Sequence, residues 1–329
     1  LGTDDKCFGD NEWMMCFQFY GITHLTVRDV TIRNQRTFSS LVANFEHVVM
    51  ENIIIDLPDK MYAQNQDGLH FWGPGRFLSL KNISGDVGDD FIALAPDEHD
   101  CVSNITDVLI DGVFLQEADQ GIRMLSRGTG RLDRVTIKNV TGTYRSFGFY
   151  INPWFPGDTI GNFGNIVLDN IDMRPIEPVY DYTESFLFRI GGKIDSLTLR
   201  NISHIDPRDN RPLMQAGIPF YEALQEGESA KYNHIRKLTI DGLNILENNP
   251  ASSDADYFQI NCPVDCMVVR DTEVVRSPEM ECKGSLVKFG KEADVKTLFV
   301  HGLVANGLEN VFKGVEGCVD TCKFSDILC

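Results

Sequence analysis

Eleven short apolar blocks along the chain end on the same chemistry. They read HLTVRDV, HVVMENI, FLSLKNI, DVLIDGV, RVTIKNV, NIVLDNI, SLTLRNI, KLTIDGL, CMVVRDT, TLFVHGL and TCKFSDI. The sixth residue is always Asp, Asn or Gly: Asp29, Asn52, Asn82, Gly112, Asn139, Asn170, Asn201, Gly242, Asp271, Gly302 and Asp326. Only these residue types enter the left-handed backbone region at little cost. A left-handed corner recurring every 23 to 41 residues is the mark of a solenoid. Within each block apolar and polar residues alternate with period two, and β-branched residues are abundant, so the blocks are strands. Triplets such as LTV, VVM and LSL give two inward residues and one outward. No helical apolar face separates the strands, which disfavours a leucine-rich repeat. The expected fold is all-β: a right-handed parallel β-helix of about eleven coils and roughly 50 Å, the hand following the general rule for parallel crossovers.

No linker or composition shift divides the 329 residues, so a single domain over 1–329 is expected. The first repeat starts near residue 24, which leads us to expect an N-terminal cap or earlier coils missing from this chain. Uncovered coil ends are exposed sheet edges, which leaves homo-oligomeric packing open. The widest spacing, 201 to 242, marks an inserted loop in which PFYEALQEG reads as a short helix or lid; residues 56–63 and 152–164 mark two more. Loops of this kind wall a groove on a rigid scaffold.

A net charge of −18 excludes the basic footprint that nucleic acid requires. No apolar run is long enough for a membrane span. Of the nine cysteines, six follow residue 260. Their C-x3-C spacings are not the usual zinc pattern, so they are either disulfides in an oxidising compartment or small apolar residues of the stack. A secreted or periplasmic location is slightly favoured on that ground. Four Asn sequons occur, at 82, 104, 139 and 201. Three coincide with corners, where the turn already explains the Asn, so they carry little weight as glycosylation sites.

The repeat frame works as a ruler for the strands that follow the corners. Asp67-Gly68-Leu69-His70-Phe71, Asp89-Asp90-Phe91-Ile92-Ala93, Gln120-Gly121-Ile122-Arg123-Met124 and Phe147-Gly148-Phe149-Tyr150-Ile151 align on one position. On that alignment Leu69, Phe91, Ile122 and Phe149 form one inward column, and Phe71, Ala93, Met124 and Ile151 a second. His70, Ile92, Arg123 and Tyr150 then point outward. Asp67 and Asp89 occupy equivalent positions on adjacent coils, with Asp90 next in line. Like charges this close raise at least one pKa, so one acid keeps its proton while its neighbours ionise. Glycoside hydrolysis needs that division between acid and base. Local backbone bonding by Asp at a solenoid bend is the structural alternative for any one of them.

Asn65-Gln66-Asp67-Gly68, followed one coil later by Gly88-Asp89-Asp90, resembles the NTDG and GDD motifs of the polygalacturonase-like glycoside hydrolases. The resemblance covers roughly residues 13–152. It implies a right-handed parallel β-helix that cleaves pectic polysaccharides or oligosaccharides with inversion and without cofactor or metal. It implies Asp89 as general acid, with Asp67 and Asp90 activating water. Arg123 matches the Arg of the family's RIK motif; Leu125 stands in place of its Lys, and the GHG motif is absent. Arg123 then either binds a carboxylate or neutralises the Asp cluster. Asn65, His70, Tyr150 and Trp154 complete the expected substrate-binding set, His70 in place of the missing His and the aromatics as sugar-stacking groups. A β-helix lyase, epimerase or fructotransferase, and a non-catalytic glycan-binding or tail-spike-like module, are the competing readings.

Overall fold

The computed structural model describes residues 15–58, 65–98, 103–153, 160–179, 185–205, 212–217, 229–248, 254–277 and 283–328. These residues build a parallel β-helix. Twenty strands join one sheet, and every register pairing is parallel, each strand bonding its counterpart one coil along. Two stacks run the length of the rod. One contains short strands such as β5 (Asp90–Ala95), β7 (Gln120–Ser126) and β9 (Phe147–Pro153). The other contains long strands that run through the corner, such as β6 (Ile105–Glu117), β8 (Leu132–Tyr144) and β10 (Asn162–Pro175). β3 (Ser40–Asp56) and β4 (Leu69–Asp86) carry both arms in one continuous strand. The only helix among the described residues is one turn, Ser229–Tyr232, far too short to cross a membrane. The PFYEALQEG stretch lies outside them.

All eleven sequence-derived corners have positive φ, from 49° at Asp271 to 82° at Gly112. Their side chains bond one another along the rod. Asn82 Nδ2 donates to Asn52 Oδ1 at 3.1 Å, and Asn52 Nδ2 donates to Asp29 Oδ1 at 2.8 Å. Asn170 donates to Asn139 at 2.7 Å, Asn139 to Asp111 at 2.6 Å and Asn201 to Asp169 at 2.8 Å. In the sequons at Asn82, Asn139 and Asn201 the amide nitrogen is thus engaged in the ladder.

The residue before each of the first nine corners alternates in charge. Arg28, Glu51, Lys81, Asp111, Lys138, Asp169, Arg200, Asp241 and Arg270 are successive register partners across nine coils. Opposite charges facing each other across parallel strands attract, and like charges would repel. Contacts include Lys138–Asp111 at 3.1 Å and Arg270–Asp241 at 2.6 Å. Inside the coil the core is one continuous apolar column, running from Ile32 to Ala305. Five cysteines, Cys16, Cys262, Cys266, Cys318 and Cys322, carry free thiols; the other four lie outside the described residues. The disulfide reading does not hold at those five positions; the packed-thiol reading holds at buried Cys262 and half-buried Cys266, Cys318 and Cys322, and not at Cys16, which is exposed.

Two outcomes follow. Asn139→Ala should destabilise by about 1–2 kcal/mol, because Ala pays for φ 59° and drops two ladder bonds, whereas Asn139→Gly keeps the turn and should cost less. Denaturant midpoints measure the order, and equal losses would show that the corner angle is not limiting. Lys138→Glu, which sets an acid between Asp111 and Asp169, should lower the thermal midpoint by about a degree or two at low salt and by less in 1 M salt.

Candidate active site

The short-strand stack corrects the expected alignment by one residue. Leu69 pairs with Ile92, His70 with Ala93 and Phe71 with Leu94. The inward columns are therefore Leu69, Ile92, Ile122, Phe149 and Phe71, Leu94, Met124, Ile151. Ala93, not Ile92, lies in the column of His70, Arg123 and Tyr150. Counting back from Leu69–Ile92 sets Asp67 beside Asp90, while Asp89 falls in line with Gln66 and Asp119. The slip has a physical cause. Phe91-Ile92-Ala93-Leu94-Ala95 is apolar on both faces, so no alternation marks which residues point inward.

The three acids still converge. One carboxylate oxygen of each of Asp67, Asp89 and Asp90 lies within 4.8 Å of the others. Two glycines permit the approach. A Cβ on Gly68 would meet the Phe91 carbonyl at 2.3 Å, and one on Gly88 would meet Gln66 Oε1 at 2.2 Å. Asp67 and Asp90 are 2% and 4% exposed, and Asp89 is the half-buried member that reaches solvent. Asp67 Oδ1 and Asp90 Oδ1 are buried and accept no hydrogen bond from the protein.

Burial raises all three pKa values. For Asp89, burial and then the charges of Asp67 and Asp119 push the carboxyl to about 7, against the backbone N–H of Asn65, which donates to Oδ2 at 2.6 Å. Asp90 is held well above the ordinary range by burial, opposed first by Arg123, whose Nη1 lies 3.6 Å away.

The expected substrate-binding residues are placed unevenly. Arg123 stands beside the acids, its guanidinium 5.1 Å from the centre of the Tyr150 ring. Tyr150 projects from the coil, yet it is 1% exposed, packed between Arg123 and Phe147, with its hydroxyl accepting from Asn152 at 2.8 Å. That burial does not present its ring to a sugar. His70 also projects outward and is buried, bonded to Asp67 and Glu98. Its place is behind an acid rather than on an open surface. Asn65 touches the site through its backbone. Trp154 lies outside the described residues.

Three neighbours escaped the sequence reading. Asp119 is one coil beyond Asp89 and accepts from Ser146 Oγ at 2.6 Å. Arg145 is fully buried, pairs with Glu117 at 2.6 Å and donates to the Gly88 carbonyl at 2.6 Å, which braces the Gly88-Asp89-Asp90 turn. Glu98 closes the far side of His70. Asp119 was within reach of the repeat ruler; Glu98 and Arg145 carry no sequence signal.

A scan against models of known protein families, a search of curated proteins and a search of solved structures each found no match to this chain. The resemblance to polygalacturonases accordingly stands on the two short motifs alone.

A group whose folded-state pKa is raised to about 7 contributes most favourably below its unfolded value near 4 and loses that contribution as pH rises through 7. Asp89→Asn imitates the protonated acid. It should raise the thermal midpoint by a few degrees at pH 8 and leave it nearly unchanged at pH 4. A lower midpoint at pH 8 would show that the Asp89 charge is not a burden on the fold.

Proposed function

We propose that this chain is a glycoside hydrolase acting on a uronate-containing, pectin-related polysaccharide or oligosaccharide, with Asp89 as general acid and Asp67 and Asp90 activating water. The observation that carries the reading is the division within the trio. Asp67 and Asp90 are buried with one oxygen each unbonded, whereas Asp89 alone of the three is partly open to solvent; burial raises the pKa of all three, that of Asp89 to about 7. A general acid must be protonated near working pH and must reach the leaving oxygen. Asp89, with its pKa raised to about 7 and its partial exposure, suits that role best of the three.

Spacing and burial bear differently on stereochemistry. Retaining enzymes space their carboxyls by about 5–5.5 Å and inverting ones by about 6.5–9.5 Å. The closest oxygens here, within 4.8 Å, lie nearer the first class. Burial favours inversion, because Asp67 and Asp90 reach an anomeric carbon less readily than they polarise a small water. Arg123 beside the acids suits a carboxylate-bearing sugar.

The same oxygens form a donor set suited to a divalent cation, and Arg123 would be the base of a β-elimination. That lyase is the second reading. Chelator-sensitive release of an unsaturated, ultraviolet-absorbing uronate would decide for it.

Assay on a panel of defined pectic and neutral oligosaccharides tests the hydrolase. Asp89→Asn should lose at least about 10²-fold in kcat. Activity should fall as pH rises through about 7, where Asp89 loses its proton. Proton NMR of the first-formed anomer should show inversion. An active Asp89→Asn enzyme would reject the acid assignment, and a retained anomer would reject the water-activating role of Asp67 and Asp90.

A further inference from the structure

His70 is held on both of its nitrogens. Nδ1 lies 2.9 Å from Asp67 Oδ2, and Nε2 lies 2.8 Å from Glu98 Oε2. With both carboxyls ionised, a neutral imidazole would turn a lone pair toward one of them, and the ring is then satisfied as an imidazolium that donates to both. Its seat is built by the coils on either side. Phe38 stacks on the ring at 4.2 Å, and Trp72 meets it edge-on at 5.9 Å. Trp72 Nε1 donates to the same Glu98 oxygen at 2.6 Å. The register partners are Leu41 and Ala93 for His70, and Ala43 and Ala95 for Trp72. These small or uncharged residues leave room for the two rings on the outer face and bring no charge. The charged groups that face the ring are Asp67 and Glu98, with Asp90 and Arg123 beyond Asp67.

We propose that Glu98 is a positioning residue of this site: through the ring of His70 it fixes the orientation and the charge of Asp67, so that Asp67 is the carboxylate that activates water. The inference rests on the hydrolase reading and adds a residue to it. The imidazolium occupies Asp67 Oδ2 and leaves Oδ1, buried and without a protein donor, as the oxygen with accepting capacity to spare. It also places a positive charge against one buried acid of three, which breaks the symmetry of the cluster. Glu98 keeps that positive charge in place where burial alone would expel it. The combined effect of the two carboxylates outweighs burial and pushes His70 up to about 10.

Two measurements on the full chain test this. The first needs no substrate: NMR titration of the His70 ring nitrogens. Wild-type His70 should stay charged through pH 8, and Glu98→Gln should bring its midpoint down by about one unit or more. A midpoint near 6.5 in the wild type, or no change in Glu98→Gln, would overturn the proposal. The second uses whichever oligosaccharide of the panel is cleaved. Glu98→Gln should lower kcat roughly tenfold with KM unchanged, and His70→Gln should lower it further and move the acidic limb of the pH profile upward. Trp72→Phe, which keeps an aromatic ring beside His70 but removes the second donor to Glu98, separates the contribution of that hydrogen bond from the packing on the ring. Full kcat with an unshifted limb in both Glu98→Gln and His70→Gln would overturn the role while leaving the hydrolase standing. A wild type that cleaves nothing, with the His70 titration as expected, would instead remove the hydrolase reading and the water-activating role of Asp67 with it, and leave standing only that Glu98 holds the charge on His70 beside Asp67.

Discussion

The left-handed corner is the constraint on which this molecule depends. Each coil turns sharply at this residue, and Asp, Asn and Gly tolerate the positive φ found there at little cost. Asn meets the requirement and also offers a donor and an acceptor along the rod. From Asp29 to Asn82, and again from Asp111 to Asn170, each corner amide bonds a group one coil earlier. The alternating charges one residue earlier add a second, longer-range preference for the same register. With the corner fixed, core residues at two-residue spacing fall into columns and pack against one another along the rod.

A fixed rise per coil is also what makes the acid cluster possible. Parallel strands lie about 4.8 Å apart, so acids on adjacent coils meet without any special loop. Gly68 and Gly88 remove the side chains that would hold the coils apart at that point. The cluster is costly, because burial and mutual repulsion raise all three pKa values. Arg123, His70 and the Arg145 brace offset part of that cost from different sides. Sites that trade stability for reactive groups commonly have this form.

The fold was legible because its signal is local. Each corner states its own conformation, and repetition removes ambiguity. The site was legible at its centre for the same reason: NQDG and GDD sit on consecutive coils. The errors arose where the local signal vanished. Phe91-Ile92-Ala93-Leu94-Ala95 is apolar throughout, so its register followed only from pairing with β4 and β7. His70 and Tyr150 were correctly set off the coil interior, but their burial depends on Phe38, Trp72, Phe147 and Arg123 packing over them.

The sequence by itself therefore determined the coil, its corners and the convergence of three acids from adjacent coils. Period-two alternation and positive-φ chemistry are properties of residues within a few positions of each other. The charge alternation from Arg28 to Arg270 is also written in the chain, although it gains meaning only once each residue is known to face the next coil. The tertiary structure alone decided which acid lies beside which, and which of them reaches solvent. It alone brought Glu98 to His70 across 28 residues and Arg145 to Gly88 across 57. Those contacts depend on side chains reaching across coils, a distance in space that no local pattern encodes.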